Sequence, residues 1–116
     1  MVDRRYPRTA RVNQVLREVV ADALERVSDE DERLLLVTVT AIEVDPDLRH
    51  ARVFYASRQD GVKEALDEQR VRLQAAIARQ VRLKRTPQLS FMPDPAVSSG
   101  EQVESILRQL THHDPD

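Results

Sequence analysis

Residues 34–57 read LLLVTVTAIEVDPDLRHARVFYAS and predict an antiparallel β-hairpin around which the rest of the chain is arranged. β-Branched residues dominate residues 34–44, which predicts a long first strand. Residues 45–48, Asp-Pro-Asp-Leu, are typical of a turn, and a connection this short joins antiparallel strands. The second strand, residues 50–57, alternates in character. It places Ala51, Val53 and Tyr55 on one face and Arg52, Phe54 and Ala56 on the other.

A helix is predicted on each side of this hairpin. Residues 9–27 have apolar side chains at helical spacing, with Thr9 as a plausible N-cap, and the acidic run at residues 28–32 ends the helix. Residues 62–84 predict a second helix, which Pro87 closes. The predicted buried face of the first helix comprises Val12, Val15, Leu16, Val19, Val20, Ala23 and Val27; that of the second comprises Leu66, Leu73, Ala76, Ile77, Gln80 and Val81.

A third, short strand is predicted at residues 89–92, between Pro87 and Pro93. Residues 101–110 carry apolar side chains at helical spacing and predict a short C-terminal helix. We therefore expect a single domain over residues 1–110, followed by a mobile tail at residues 111–116.

The composition excludes several classes of protein. The chain has 116 residues, which suffices for one domain with its own core. It has no cysteine, which removes disulfides and thiolate sites, and two glycines, which removes a glycine-rich phosphate loop. No apolar run approaches the ~20 residues that a membrane span needs. The first residues are basic and lack an apolar segment, so we expect no secretory signal. We expect a cytoplasmic monomer that has no membrane association.

The charges are segregated along the chain, although their sum is only −2. Residues 18–47 hold ten acidic residues and two arginines, whereas residues 70–91 hold six basic residues and no acid. Arginine outnumbers lysine sixteen to two, and its planar guanidinium group suits phosphate. We expect one positive face that contacts RNA phosphates, with alanines 75 and 78 allowing close approach. The predicted RNA-binding residues are Arg4, Arg5, Arg8, Arg11, Arg70, Arg72, Arg79, Arg82, Lys84 and Arg85.

Aromatic side chains offer few platforms for stacking of bases. Phe54 and Phe91 are expected in the core, which leaves Tyr6 as the exposed candidate. The RNA is therefore expected to be recognised by its backbone and shape. His50 and the pair Asp45 and Asp47 are expected to be surface and turn residues, and the terminal histidines lack a preorganised geometry. No catalytic residue, metal site, cofactor or small-molecule substrate is predicted.

Three stretches, spread from Arg8 to Leu110, resemble the ribosome-binding factor A family. They are Arg11-Val12 at the start of the first helix; VTVT at residues 37–40 with VDPDL at 44–48 and ARVFYAS at 51–57; and LKRTPQLSF at 83–91 followed by Asp94, Ser98 and Gly100. The resemblance implies an α+β, type II KH-like fold with the order α-β-β-α-β and a three-stranded sheet packed on helices. The family carries Ala-x-Gly at a kink in its helical segment, whereas this chain has Gln69-Arg70-Val71.

The same resemblance implies a function without catalysis. Its members bind the immature 30S ribosomal subunit, at 16S rRNA near the 5′-terminal helix and the decoding region. They assist maturation of the subunit and processing of pre-rRNA, and block premature translation. An alternative hypothesis, from the residues alone, is a protein-interaction module that binds a basic partner through the acidic segment or an exposed sheet edge.

Overall fold

The computed structural model describes residues 7–97, with side chains from residue 9 onward. The predicted helix at residues 101–110 and the tail at residues 111–116 lie outside the described residues. The same is true of Arg4, Arg5 and Tyr6, and of the side chain of Arg8.

Three α-helices and three strands make up the described part of the chain. The elements are α1 (Pro7–Ser28), a 3-10 helix (Glu32–Leu34), β1 (Thr38–Val44), β2 (His50–Ala56), α2 (Val62–Glu68), α3 (Arg70–Gln80) and β3 (Gln88–Pro93). The strand order is β1-β2-β3, and β2 lies antiparallel to β1 and parallel to β3. This is the α+β, KH-like arrangement that the sequence predicts, with the second predicted helix divided into α2 and α3.

The helices cover one face of the sheet, and the hydrophobic core lies between them. The alternation in β2 is confirmed: Ala51, Val53 and Tyr55 are buried, and their neighbours are half-buried on the open face. Leu16 and Val20 from α1 and Ile77 from α3 are fully buried in the same cluster. Burial of each such aliphatic side chain contributes about 1.5–3 kcal/mol relative to an exposed one.

The first strand is shorter than predicted, because it begins at Thr38 and not at residue 34. Asp31 caps a 3-10 helix by accepting a hydrogen bond from the main-chain N–H of Arg33, at 3.0 Å. Leu34 is buried at the end of this helix, and Leu36 has a φ of 62°, which is incompatible with a strand. Local hydrogen bonding and one left-handed residue therefore override the β propensity of this apolar run.

The helix predicted at residues 62–84 is interrupted at Gln69, and it ends at Gln80. Gln69 has φ −94° and ψ 3°, so the helical segment is interrupted at the position that aligns with the family's Ala-x-Gly, which this chain lacks. Val81 is already extended, with φ −124° and ψ 132°. Arg82 and Arg85 therefore lie in a loop and do not continue a helical band.

Smaller expectations also differ from the structure. Thr9 lies inside α1, which begins at Pro7, and proline suits the first turn of a helix because it has no N–H to leave unpaired. Val15 and Gln80 are exposed, whereas Leu24 is buried. Phe91 is in the core as predicted, but Phe54 is half-buried on the open face of the sheet.

Candidate nucleic-acid interface

Two hydrogen bonds bring the start of α1, the hairpin turn and the loop before β3 to one end of the molecule. The main-chain N–H of Val44, at the end of β1, donates to Oδ1 of Asn13 at 2.8 Å. The main-chain N–H of Gln88, at the start of β3, donates to the carbonyl oxygen of Arg49 at 2.8 Å. Both contacts lie beside the turn that joins β1 and β2.

The end of α3 belongs to the same region. The main-chain N–H of Leu89 donates to Oε1 of Gln74 at 2.9 Å, which fixes α3 beside the start of β3. We call this region the basic end, and it comprises Arg11, Arg49, Arg79, Arg82, Lys84 and Arg85, all of which are exposed.

The loop after α3 presents its charges through an alternating pattern. Val81 and Leu83 pack against the hydrophobic core, and Pro87 is fully buried. Arg82 lies between Val81 and Leu83, and Lys84 follows Leu83. The side chains of both are exposed to solvent. The loop is therefore anchored by its apolar residues, and its cations are held on the outside.

The cations of the basic end have no neutralising partner among residues 7–97. No described carboxylate lies within ion-pair distance of the side chains of Arg79, Arg82, Lys84 or Arg85, and the same holds for Arg11 and Arg49. Unpaired guanidinium and ammonium groups attract phosphate, because binding does not first break an internal ion pair.

The opposite end of the molecule carries paired charges. We call it the acidic end, and it comprises Asp29, Glu30, Asp31, Glu32 and Glu68. Arg33 bonds Asp31 and Glu68, at 2.7 Å each, and so ties the 3-10 helix to α2. The side-chain hydrogen bond from Arg33 lowers the pKa of Asp31.

Arg72 belongs to the acidic end and not to the basic one. Its Nη1 and Nη2 donate to the two carboxylate oxygens of Glu30 at 2.9 and 3.2 Å. This bidentate contact lowers the pKa of Glu30 and raises that of Arg72. Arg70, at the start of α3, is half-buried and lies at this end as well.

The structure therefore divides the predicted RNA-binding residues into three groups. Arg11, Arg79, Arg82, Lys84 and Arg85 come together at the basic end, Arg70 and Arg72 lie away from it, and Arg4, Arg5 and the side chain of Arg8 are outside the described residues.

Arg49 is a member of the basic end that the sequence analysis did not select. It lies in the hairpin turn, directly before β2, where its main-chain N–H donates to Oδ1 of Asp47 at 2.9 Å, and its side chain is exposed. Because β2 and β3 pair in parallel, the hairpin turn before β2 lies beside the loop before β3. Arg49 could have been selected from the sequence if this pairing had been known. The sequence did not specify that pairing.

Asp45 and His50 lie at the basic end, on either side of the turn that joins β1 and β2. No group of three or more His, Asp or Glu side chains among residues 7–97 is arranged to hold a metal ion. Asp45 accepts a hydrogen bond from Arg52 at 3.3 Å, and His50 is exposed. None of the helices within this range is long and apolar enough to cross a membrane.

Comparison with known proteins agrees with the resemblance in the sequence. The family profile of ribosome-binding factor A matches residues 8–107 of the chain. The chain belongs to the ribosome-binding factor A family. Ribosome-binding factor A of Rubrobacter xylanophilus is 41% identical over 114 residues, which are 94% of this chain and 92% of that protein. The protein of the same name from Zymomonas mobilis is 36% identical over 107 residues, or 87% and 76% of the two chains.

Solved structures of the family have the same fold. The crystal structure of ribosome-binding factor A from Thermus thermophilus superposes with a TM-score of 0.69 at 34% identity, covering 73% of this chain and 93% of that one. A homology model of the Thermus thermophilus factor, fitted into a cryo-EM map of its complex with the 30S subunit, gives a TM-score of 0.62 at 34% identity and covers 72% and 91% of the two chains.

Proposed function

We propose that this protein binds the immature 30S ribosomal subunit through 16S rRNA and assists maturation of the subunit and processing of its pre-rRNA. The basic end is the observation that carries the proposal, because six exposed cations from three separate segments converge there without internal ion pairs among residues 7–97. Membership of a family named for ribosome binding, and the Thermus thermophilus factor in complex with the 30S subunit, support the choice of partner.

The basic end is suited to phosphates of folded RNA and not to splayed bases. The half-buried Phe54 lies on the open face of the sheet, and Tyr55 is in the core, where desolvation raises the pKa of its hydroxyl group. Neither side chain belongs to the basic end. Recognition thus rests on backbone contacts and shape, as is usual for double-stranded or folded RNA. We place the contact near the 5′-terminal helix of 16S rRNA, with the protein bound as a monomer in the cytoplasm.

Sedimentation with purified small subunits tests this proposal. We expect the unaltered chain to sediment with the subunit at low salt and to dissociate as salt rises. Combined reversal of Arg79, Arg82 and Arg85 to glutamate is expected to abolish co-sedimentation, while the far-UV circular dichroism spectrum is unchanged because these side chains are exposed. Binding that survives the triple reversal would refute the assignment of the basic end.

The two lysines of the chain provide a matched control. Lys84 lies at the basic end, whereas Lys63 lies on α2, with its side chain 58% exposed and paired with Asp67 at 3.0 Å. Both reversals, Lys84→Glu and Lys63→Glu, change the net charge equally. We expect Lys84→Glu to weaken subunit binding about tenfold, a loss of roughly 1.4 kcal/mol, and Lys63→Glu to change it less than twofold. Equal effects would mean that only net charge matters.

A further inference from the structure

Leu36 is exposed in a conformation that leucine rarely adopts. Its φ is 62°, in the left-handed region, and 89% of its surface is accessible to solvent. The left-handed conformation is unfavourable for any residue with a Cβ atom. Burial of the side chain could offset this free-energy cost, but the side chain of Leu36 is exposed. Leu35 beside it is 44% exposed.

Leu48 has the same left-handed conformation, but contacts within the protein account for it. Leu48, in the hairpin turn, has a φ of 61°, but its side chain packs against the hydrophobic core and its main-chain N–H donates to the carbonyl oxygen of Asp45 at 2.8 Å. Leu36 has no such packing, since only its neighbours Leu34 and Val37 join the core. An unexplained backbone outlier of this kind is a reason to look for a function.

The surrounding chain holds Leu36 in this outward position. Leu34 anchors one side in the core, and the amide of Gln59 donates to the carbonyl oxygen of Leu35 at 3.1 Å. On the other side, β1 begins at Thr38. Contacts on both sides of Leu36 therefore hold its side chain in this exposed position.

Leu36 forms one wall of a groove between α1 and the edge strand β1. The groove has a volume of about 400 Å³, and its apolar lining includes Ala21 and Leu24 from α1 and Val37 and Val39 from the other side. β1 is the outermost strand of the described sheet, so no described strand pairs with its outer edge, and the N–H of Val44 at its far end donates to Asn13 instead. Such an edge accepts an added strand through main-chain hydrogen bonds.

The charge around the groove favours a cationic occupant. The lining of the groove carries one arginine, Arg17, and one glutamate, Glu25, and the exposed carboxylates of Asp29 and Glu32 follow beyond Ser28. The acidic end begins at Asp29, directly after the part of α1 that lines the groove. An anionic polymer such as RNA is repelled here, whereas a lysine- and arginine-rich segment is attracted.

We propose that the groove between α1 and β1 binds an extended, basic segment of a protein, which pairs with the edge of β1 and packs an apolar side chain against Leu36. The site goes beyond the proposed contact with rRNA, because it uses other residues at the other end of the molecule. A particle that carries both RNA and basic proteins would then be held at two points.

Replacement of Leu36 separates this role from a structural one. Leu36→Asn removes the exposed apolar side chain and introduces a residue that tolerates a positive φ. We expect its melting temperature to equal or exceed that of the unaltered chain, and its affinity for purified small subunits to fall about fivefold, as for loss of one apolar anchor. A lowered melting temperature, or unchanged affinity, would contradict the proposal.

Val71→Asn is the matched control, since Val71 is 73% exposed on α3, away from the groove. It removes a similar exposed apolar side chain, and we expect its affinity for small subunits to be unchanged. A loss of affinity equal to that of Leu36→Asn would count against the groove.

Photo-crosslinking identifies the occupant, and it distinguishes this proposal from the one on rRNA. The chain with p-benzoylphenylalanine at position 36 is irradiated with purified small subunits and, separately, with the subunit proteins after removal of rRNA. Adducts to lysine- and arginine-rich protein segments, in either preparation, support the proposal even if the basic end does not bind rRNA. Adducts only to rRNA, to a second copy of the chain or to residues 98–116 of the same chain, or no adduct in either preparation, overturn it.

Discussion

Thr40 shows how a single residue links the open face of the sheet to the chain after β3. It is the unpaired residue of a β-bulge, because Val39 and Ala41 are opposite the consecutive residues Tyr55 and Phe54. Its hydroxyl group donates to Oδ2 of Asp94, and this bond lowers the pKa of the Asp94 carboxyl group. The sequence predicted the strand but not the bulge, since a bulge is determined by pairing between strands and not by local propensity.

This bond predicts a pH-dependent effect of Thr40→Val. A depressed carboxyl pKa means that the contact stabilises the fold at pH values above the ordinary Asp pKa of 3.8, and that this contribution is lost as the pH falls through the lower, folded-state value. The variant should melt below the unaltered chain at pH 6, and the difference should shrink below a pH of about 4. Thermal melts between pH 2 and 6 measure this. A difference that is constant over that range would contradict the linkage.

Asn13 is a second single residue with a predictable role. Its side chain accepts the hydrogen bond from the N–H of Val44, which is buried. Asn13→Ala leaves this donor without its partner, and we expect a loss of about 1–3 kcal/mol in the free energy of unfolding, measured with urea. Gln14→Ala is the control, because Gln14 bonds only the exposed Glu18, at 3.0 Å, and its loss should cost less than about 0.5 kcal/mol. Equal losses would show that the contact to β1 is unimportant.

At the scale of elements, the periodicity of the sequence predicts the order of the α-helices and strands among residues 7–97, but it misses the 3-10 helix at Glu32–Leu34 and the division of the second helix. The pattern over residues 62–84 is continuous because both α2 and α3 bury apolar residues at helical spacing. The packing on the two sides of Gln69 is separate, since α2 buries Val62, Ala65 and Leu66, and α3 buries Leu73 and Ile77. No local breaker such as glycine or proline marks the position.

If packing and not local sequence enforces the kink, substitutions beside it should have unequal effects. Gln69→Ala should change the free energy of unfolding by less than about 0.5 kcal/mol, since the side chain of Gln69 makes one exposed contact, to Arg72 at 3.3 Å. Leu73→Ala, in the core of the next turn, should cost about 2–5 kcal/mol. Urea unfolding of the two variants measures both. A large loss in Gln69→Ala would assign the kink to that residue.

At the scale of the whole molecule, the segregation of charge along the chain becomes a separation in space. The sequence concentrates basic residues at the start of the chain and at residues 70–91. It does not show that the basic residues of the second stretch lie at two different ends of the molecule. Arg72 pairs with Glu30 because α1 ends where α3 begins, whereas Arg82 to Arg85 follow the other end of α3, in the loop that leads to the hairpin turn. Five of the predicted residues thus share a surface, and Arg49 joins them through the parallel pairing of β2 and β3.

This polarity predicts how subunit binding depends on salt. The logarithm of the binding constant falls with the logarithm of the salt concentration in proportion to the number of phosphates neutralised, with a slope of about −0.9 for each. Arg82→Ala should therefore make the slope shallower by about 1. Arg72→Ala should change it by less than half as much, because Glu30 already neutralises that guanidinium group.

Glu30→Gln completes the comparison, since it frees Arg72 without removing it. We expect the slope of this variant to stay within about half a unit of that of the unaltered chain, because Arg72 lies at the acidic end, away from the proposed contact with RNA. Binding titrations with purified small subunits at four or more salt concentrations give all the slopes. Equal slopes for Arg82→Ala and Arg72→Ala, or a steeper slope for Glu30→Gln, would mean that the RNA does not distinguish the two ends of the protein.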